Sequence, residues 1–225
     1  MRVLGIDPDT HNMGIVVADE TTIYLAYSLD IPADLKGRDA VVEMCKAVWC
    51  AMGPLIQRAI QPTNQPIDRI VVEGQRIYEE GMTANPMSLL YLGQVAGAAL
   101  TAAMCFSCQP NAVMPYPSEW KGTMPKEVSQ GRAYRHYGLP FEVVKGSRHN
   151  YAVPVLGPEA PCPPDWPSKG KWKHVGDALA LALWGLQTHT AAVARAARVS
   201  DPELNAALGR RGIDPTQPKP KRRRR

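Results

Sequence analysis

Apolar and polar positions follow two periods along this chain, and the changes of period divide it into elements. A short apolar run, Val3 to Ile6, delivers Asp7 and Pro8, and a second run, Gly14 to Ala18, leads away. This is the pattern of a buried strand, a tight turn and a pairing strand. Thr21 to Leu29 is rich in β-branched and aromatic residues and predicts a third strand, joined to the second through Asp19-Glu20. Residues 38–60 switch to helical spacing through Val41, Val42, Cys45, Val48, Trp49, Met52, Leu55 and Ile56, until Pro62 and Pro66 break the chain. Ile67 to Glu73 repeats the opening pattern, an apolar strand ending on a carboxylate. Pro86 to Cys105, dominated by Leu, Ala and Gly, predicts a buried helix, with Gly93, Ala96, Gly97 and Ala98 allowing close approach to a neighbour.

Ala112 to Pro115 predicts a short strand, and Lys126 to Tyr137 a polar helix. From about 139 to 170 the pattern dissolves among Pro140, Pro154, Pro158, Pro161, Pro163, Pro164 and Pro167, which predicts an irregular insertion. Order resumes with Lys171 to Trp184, an apolar helix whose first turn carries His174 and Asp177, and residues 190–199 extend it. Beyond Ser200 the Pro-rich, basic tail predicts disorder. The order β-β-β-α-β-α-β-α-α implies an α/β fold, a mixed sheet with helices on its faces. The expected organisation is one domain over 1–199 and a tail over 200–225.

Composition narrows the class. At 225 residues, 45% apolar and 21% charged, the chain suits one globular domain with a substantial core. Between 201 and 225 eight Lys/Arg face three acids, which accounts for the whole net charge of +5 and leaves the body formally neutral. Five cysteines without scaffold spacing fit a reducing compartment. The start of the chain reads directly as a strand, not as a leader, and no window is expected to reach the ~20 apolar residues of a membrane span. A cytoplasmic protein with no membrane partner is the expectation.

The chemistry lies at element ends. Asp7 and Glu73 each close a strand, and His174 and Asp177, three apart, share one helix face. Oxygen ligands from separate elements with one imidazole suit Mg²⁺ or Mn²⁺ better than a structural Zn²⁺. Two such ions ~3.5–4 Å apart activate water and stabilise the leaving oxygen of a phosphodiester. Singly, each acid reads as well as a helix cap or a solvated strand end.

Four motifs recur in order: Leu4-Gly-Ile-Asp-Pro8 with Gly14; Val71-Val-Glu73; Leu92-Gly-Gln94 with Gly97; and His174-x-x-Asp177-Ala-Leu-Ala. Together they resemble the RuvC family of Holliday-junction resolvases over roughly residues 1–190. The resemblance implies an RNase H-like fold, a two-ion Mg²⁺ site (Mn²⁺ substituting) on Asp7, Glu73, His174 and Asp177, and cleavage of four-way junctions by a homodimer. His174 stands where many members have Asp. The resemblance also implies catalytic lysines at Lys121 and Lys126, at a shorter spacing than usual. It further implies a base-stacking aromatic at Tyr78, shifted in register, with Arg76 beside it on the DNA. Family members dimerise through the region of the helix at 86–105. Asp9 replaces the Gly of the family's Asp-Pro-Gly turn, either as a turn residue or as an added ligand-like charge.

Lys169-Gly-Lys171-Trp172-Lys173 joins an aromatic to three cations and suits phosphate contact with base stacking, or else Trp172 packs under the insertion. Arg132, Arg135, Lys145 and Arg148 form a basic stretch expected to face DNA. Cys105 and Cys108 have metal-ligand spacing but no second pair, so buried free thiols are expected. The terminal basic run suits a nonspecific DNA tether, with nuclear targeting as its other reading. Cleavage of forks or flaps and non-catalytic junction binding remain as alternatives, and the sequence carries no signal for a loading partner. An actin-like ATPase would need a second related domain and a second Gly-rich phosphate loop, neither of which these 225 residues contain.

Overall fold

Period-two alternation puts Leu4 and Ile6 on one side of the first strand, β1 (Val3–Asp7), and Val3, Gly5 and Asp7 on the other. A computed structural model describes residues 1–74, 86–108, 111–146, 149–156, 167 and 171–200, with side chains omitted for 193–200. β1 pairs antiparallel with β2 (Asn12–Ala18), which pairs antiparallel with β3 (Ile23–Asp30). On its other edge β1 runs parallel to β4 (Arg69–Val72), and β4 parallel to β5 (Ala112–Val113), giving the order β3-β2-β1-β4-β5.

The Leu4/Ile6 face is covered by α1 (Gly37–Ile60) and α2 (Pro86–Ser107), whose buried Val41, Met44, Val48, Met52, Val95 and Ala99 complete the larger core. Against the opposite face lies the first half of α5 (Trp172–Ser200), up to Leu186, with α4 (Lys126–His136) beside it; Val16, Ala18, Tyr134, Val175 and Leu179 form the second core. The expected helical extension over 190–199 is present.

Two glycines allow α5 to lie directly on the sheet. A Cβ on Gly5 would stand 2.2 Å from the Ala178 carbonyl oxygen, and one on Gly14 2.1 Å from that of His174. Any larger residue at either position would lift the first turns of α5, which carry His174 and Asp177, off β1 and β2.

The chain divides into two compact units, 1–186 and 187–225. Every residue of the site described below belongs to the first.

Four expectations are corrected. The stretch from 139 contains an antiparallel hairpin, β6 (Phe141–Lys145) and β7 (Asn150–Pro154), packed on α4. Most of β6 is exposed, so burial imposes no apolar alternation on it, and Pro154 is tolerated because it closes a strand. A one-turn helix, α3 (Pro117–Trp120), also went unread. Helix α2 is buried on one stripe only, Val95, Ala96, Ala99, Ala102 and Ala103; Met87, Leu90 and Phe106 are exposed, and a Cβ on Gly93 or Gly97 would meet nothing within 4 Å. By length and composition its 22 residues do suffice to cross a membrane, although its buried stripe packs on α1 and β4. Cys105 and Cys108 are free as expected, but exposed.

Candidate active site

Asp7 and Glu73 meet because their strands are parallel neighbours. The register pairs Ile6 with Val72, so the next residue of each strand leaves the sheet at the same edge. The Glu73 N–H donates to the Ile6 carbonyl at 3.0 Å, and the two carboxyl groups share a hydrogen bond. Helix α5, seated on Gly5 and Gly14, brings in the rest. His174 Nδ1 is 2.7 Å from Asp7 Oδ2, and Asp177, one turn on, is 1% exposed.

Two lysines reach the acids from the segment before and at the start of α4. Lys121, which caps α3, places Nζ 3.7 Å from Glu73 Oε1. Lys126, the first residue of α4, sets its ammonium against Asp177 Oδ2. All six residues that the sequence assigned to catalysis, Asp7, Glu73, Lys121, Lys126, His174 and Asp177, therefore converge on one edge of the sheet.

Burial dominates their electrostatics. Desolvation, reinforced by Asp177, pushes the Asp7 carboxyl from 3.8 up to about 7. Desolvation and the Asp7 charge push Glu73 from 4.5 up to about 8. Both acids therefore favour the protonated form far more than exposed carboxyls do. Asp177 is also held above its ordinary range, since burial outweighs the Lys126 ammonium beside it. For Lys126, burial works against the charge, but Asp177 and Asp7 prevail and keep it protonated. Burial drives His174 down to about 4 although Asp9 opposes this, so its contact with Asp7 is a hydrogen bond of a neutral imidazole.

Three buried carboxylates with an imidazole form a hard, oxygen-rich donor set whose mutual repulsion a divalent cation would relieve. Their chemistry fits such an ion. Among the described residues, though, no three His, Cys, Asp or Glu stand in ligating arrangement, and His174 and the two lysines lie against the carboxylate oxygens.

The other assigned positions fall differently. Trp172 is 5% exposed and packs inward, so it offers no stacking surface, which corrects its assignment to DNA. Lys171 pairs with Asp30, while Lys173 Nζ lies 5.6 Å from the centre of the Tyr151 ring. Arg132 and Arg135 are exposed on α4, Arg135 over Phe141, and Lys145 ends β6. None of these joins the carboxylates. Arg76, Tyr78, Arg148, Lys169 and the basic tail lie outside the described residues.

Asp9 is a turn residue whose charge also reaches His174. Its Oδ1 accepts the His11 N–H at 3.3 Å, closing the turn, and its Oδ2 stands 3.4 Å from His174 Nε2. Sequence reasoning missed Gln130, which is fully buried and donates to Asp177 Oδ1 at 3.0 Å. The available signal was its spacing, four residues after Lys126 on one helix face.

No protein-family model matches the chain. Over 104 residues it is 31% identical to the crossover junction endodeoxyribonuclease RuvC of Stenotrophomonas maltophilia; the matched stretch is 46% of this chain and spans about half, 54%, of that relative. The solved structure of Thermus thermophilus RuvC superposes with a TM-score of 0.50 at 18% identity, over 85% of this chain and 97% of that one. The complex of T. thermophilus RuvC with a Holliday junction substrate gives 0.50 and 17%, over 84% and 96%. The expected fold, an RNase H-like mixed sheet, is therefore the observed one.

Proposed function

We propose that this RuvC-like chain is a divalent-metal-dependent endonuclease that cuts branched DNA, four-way junctions foremost. The observation that carries the reading is the convergence of Asp7, Glu73, His174 and Asp177 with two lysines at one sheet edge. Buried acids that oppose one another weaken a fold unless they serve a ligand, since each is desolvated without full compensation.

In this reading Asp7, Glu73, His174 and Asp177 would hold Mg²⁺, two ions per site, with Mn²⁺ as a substitute. A bound divalent ion lowers the pKa of a water and offsets charge on a phosphate. The protein's own part is orientation and proton handling. Asp7 and Glu73, whose protonated forms burial favours, would hold the ion in their ionised forms. Lys121 and Lys126, which stand beside those carboxylates, would supply positive charge for the phosphate. Burial keeps His174 neutral, so one of its ring nitrogens keeps a lone pair for a ligand.

Two further parts belong to the proposal. Symmetric cutting of a junction needs two sites related by a twofold axis, so the active form is a homodimer. The exposed side of α2, with Met87, Leu90, Gly93 and Gly97, supports its assignment to that interface. Arg132, Arg135, Lys145 and Lys173 supply backbone contacts, and the domain extends over 1–199 with the tail as a DNA tether. A bacterial or phage-infected cytoplasm is the setting this reading implies.

The test is cleavage of a labelled four-way junction, fork, flap and linear duplex side by side, with Mg²⁺ and with EDTA. Junction cutting that needs Mg²⁺ and disappears in Asp7→Asn, with junction binding retained, supports the proposal. Metal-independent cutting, or an active Asp7→Asn, refutes it.

A further inference from the structure

We propose that Gln130 is a positioning residue of the carboxylate site, holding Asp177 in place and tying it to the β6–β7 hairpin; this rests on the nuclease reading above. Every polar function of the side chain is used. Nε2 donates to Asp177 Oδ1 at 3.0 Å and to the Lys173 carbonyl at 3.0 Å. Oε1 accepts the N–H of Ala152, on β7, at 2.9 Å. A flipped amide would set an oxygen against the Asp177 carboxylate and an NH₂ against the Ala152 N–H, so the network admits one orientation.

Gln130 thus engages one oxygen of Asp177, and the other oxygen faces Lys126. Asp177 is too deeply buried for water to replace the amide. Helix packing brings Gln130 this close: a Cβ on Gly176 would stand 3.2 Å from both its Cγ and its Cδ, so the amide lies on the backbone of α5 next to Asp177. The hairpin meets the site a second time through Tyr151, whose ring centre is 5.6 Å from Lys126 Nζ and 5.6 Å from Lys173 Nζ. Displacing β7 would therefore move the residues that orient Asp177. Groups that orient a metal ligand in this manner typically change metal affinity or activity by about 10- to 100-fold.

The experiment uses the full chain and two replacements. Gln130→Met keeps volume and removes all three hydrogen bonds; Gln130→Glu keeps the acceptor for Ala152 and loses the donor to Asp177. Tyr134→Phe, buried on the same helix, is the packing control. Mn²⁺ affinity is measured by calorimetry without DNA, junction affinity in Ca²⁺, and single-turnover cleavage in Mg²⁺. The expected result for each Gln130 variant is a loss of about 10- to 100-fold in Mn²⁺ affinity and in cleavage. Junction affinity stays unchanged, and so does the control. If Gln130→Met does not fold, Gln130→Glu decides alone. A folded Gln130 variant that binds Mn²⁺ and cleaves like the wild type overturns the inference while leaving the nuclease reading intact. A wild-type chain that neither binds Mn²⁺ nor cuts branched DNA overturns both.

Discussion

Replacing Asp7 by Asn should make the metal-free protein more stable, not less, and only at neutral to alkaline pH. Asp7 is 6% exposed, and its carboxyl is pushed from 3.8 to about 7, first by burial and then by Asp177. An acid whose folded-state value is raised favours the protonated form in the fold. Its penalty is absent below the unfolded value, grows as pH rises from 3.8 to about 7, and is constant above that. The full penalty is about 4 kcal/mol, at about 1.4 kcal/mol per pH unit. Against this, the amide loses part of the hydrogen bonding to His174 and Glu73, about 1–2 kcal/mol. The expected net gain is therefore about 2 kcal/mol near pH 8.5, shrinking to nothing near pH 5. Urea denaturation in EDTA at the two pH values measures it. With Mg²⁺ the order should reverse, because only the wild type gains from the ion. An Asp7→Asn protein less stable than wild type at pH 8.5 in EDTA, or an advantage that does not grow with pH, would refute the argument that burial and mutual repulsion govern this site.

Gly14→Ala drives a Cβ into the His174 carbonyl, 2.1 Å away, and lifts the first turn of α5; cleavage should fall at least about 100-fold, and full retention would show that α5 does not need this contact. Lys126→Met leaves Asp177 without its cation and should destabilise the metal-free chain by about 3 kcal/mol, with Mg²⁺ restoring part of the loss in a thermal melt. Tyr134→Phe should be neutral or stabilise by up to about 1 kcal/mol, since its buried hydroxyl has no hydrogen-bond partner among the described residues; a clear loss of stability in urea would reveal a bond to that hydroxyl.

Local pattern carried the strands and the candidate site residues because both are written in short range. Asp7 and Glu73 end apolar runs, and His174 and Asp177 lie three apart on a helix, so neither placement needs long-range information. The β6–β7 hairpin escaped for the opposite reason: its partner is α4, and an exposed strand carries no burial alternation. Trp172 was ambiguous from sequence since an aromatic among lysines suits DNA and core alike, and only packing shows it buried.

By itself the sequence determined which residues carry charge or a side chain able to ligate a metal, and on which strand end or helix turn each one sits. The tertiary structure decided what those charges feel. Parallel pairing of β1 and β4 sets Asp7 beside Glu73, and the glycine-lined approach of α5 buries Asp177 and His174 against them. Lys121, Lys126 and Gln130 come from segments distant in sequence to compensate or orient them, and Asp9 reaches His174 across the sheet end. Protonation and ligand orientation depend on distance and desolvation across the whole fold, which no spacing along the chain encodes.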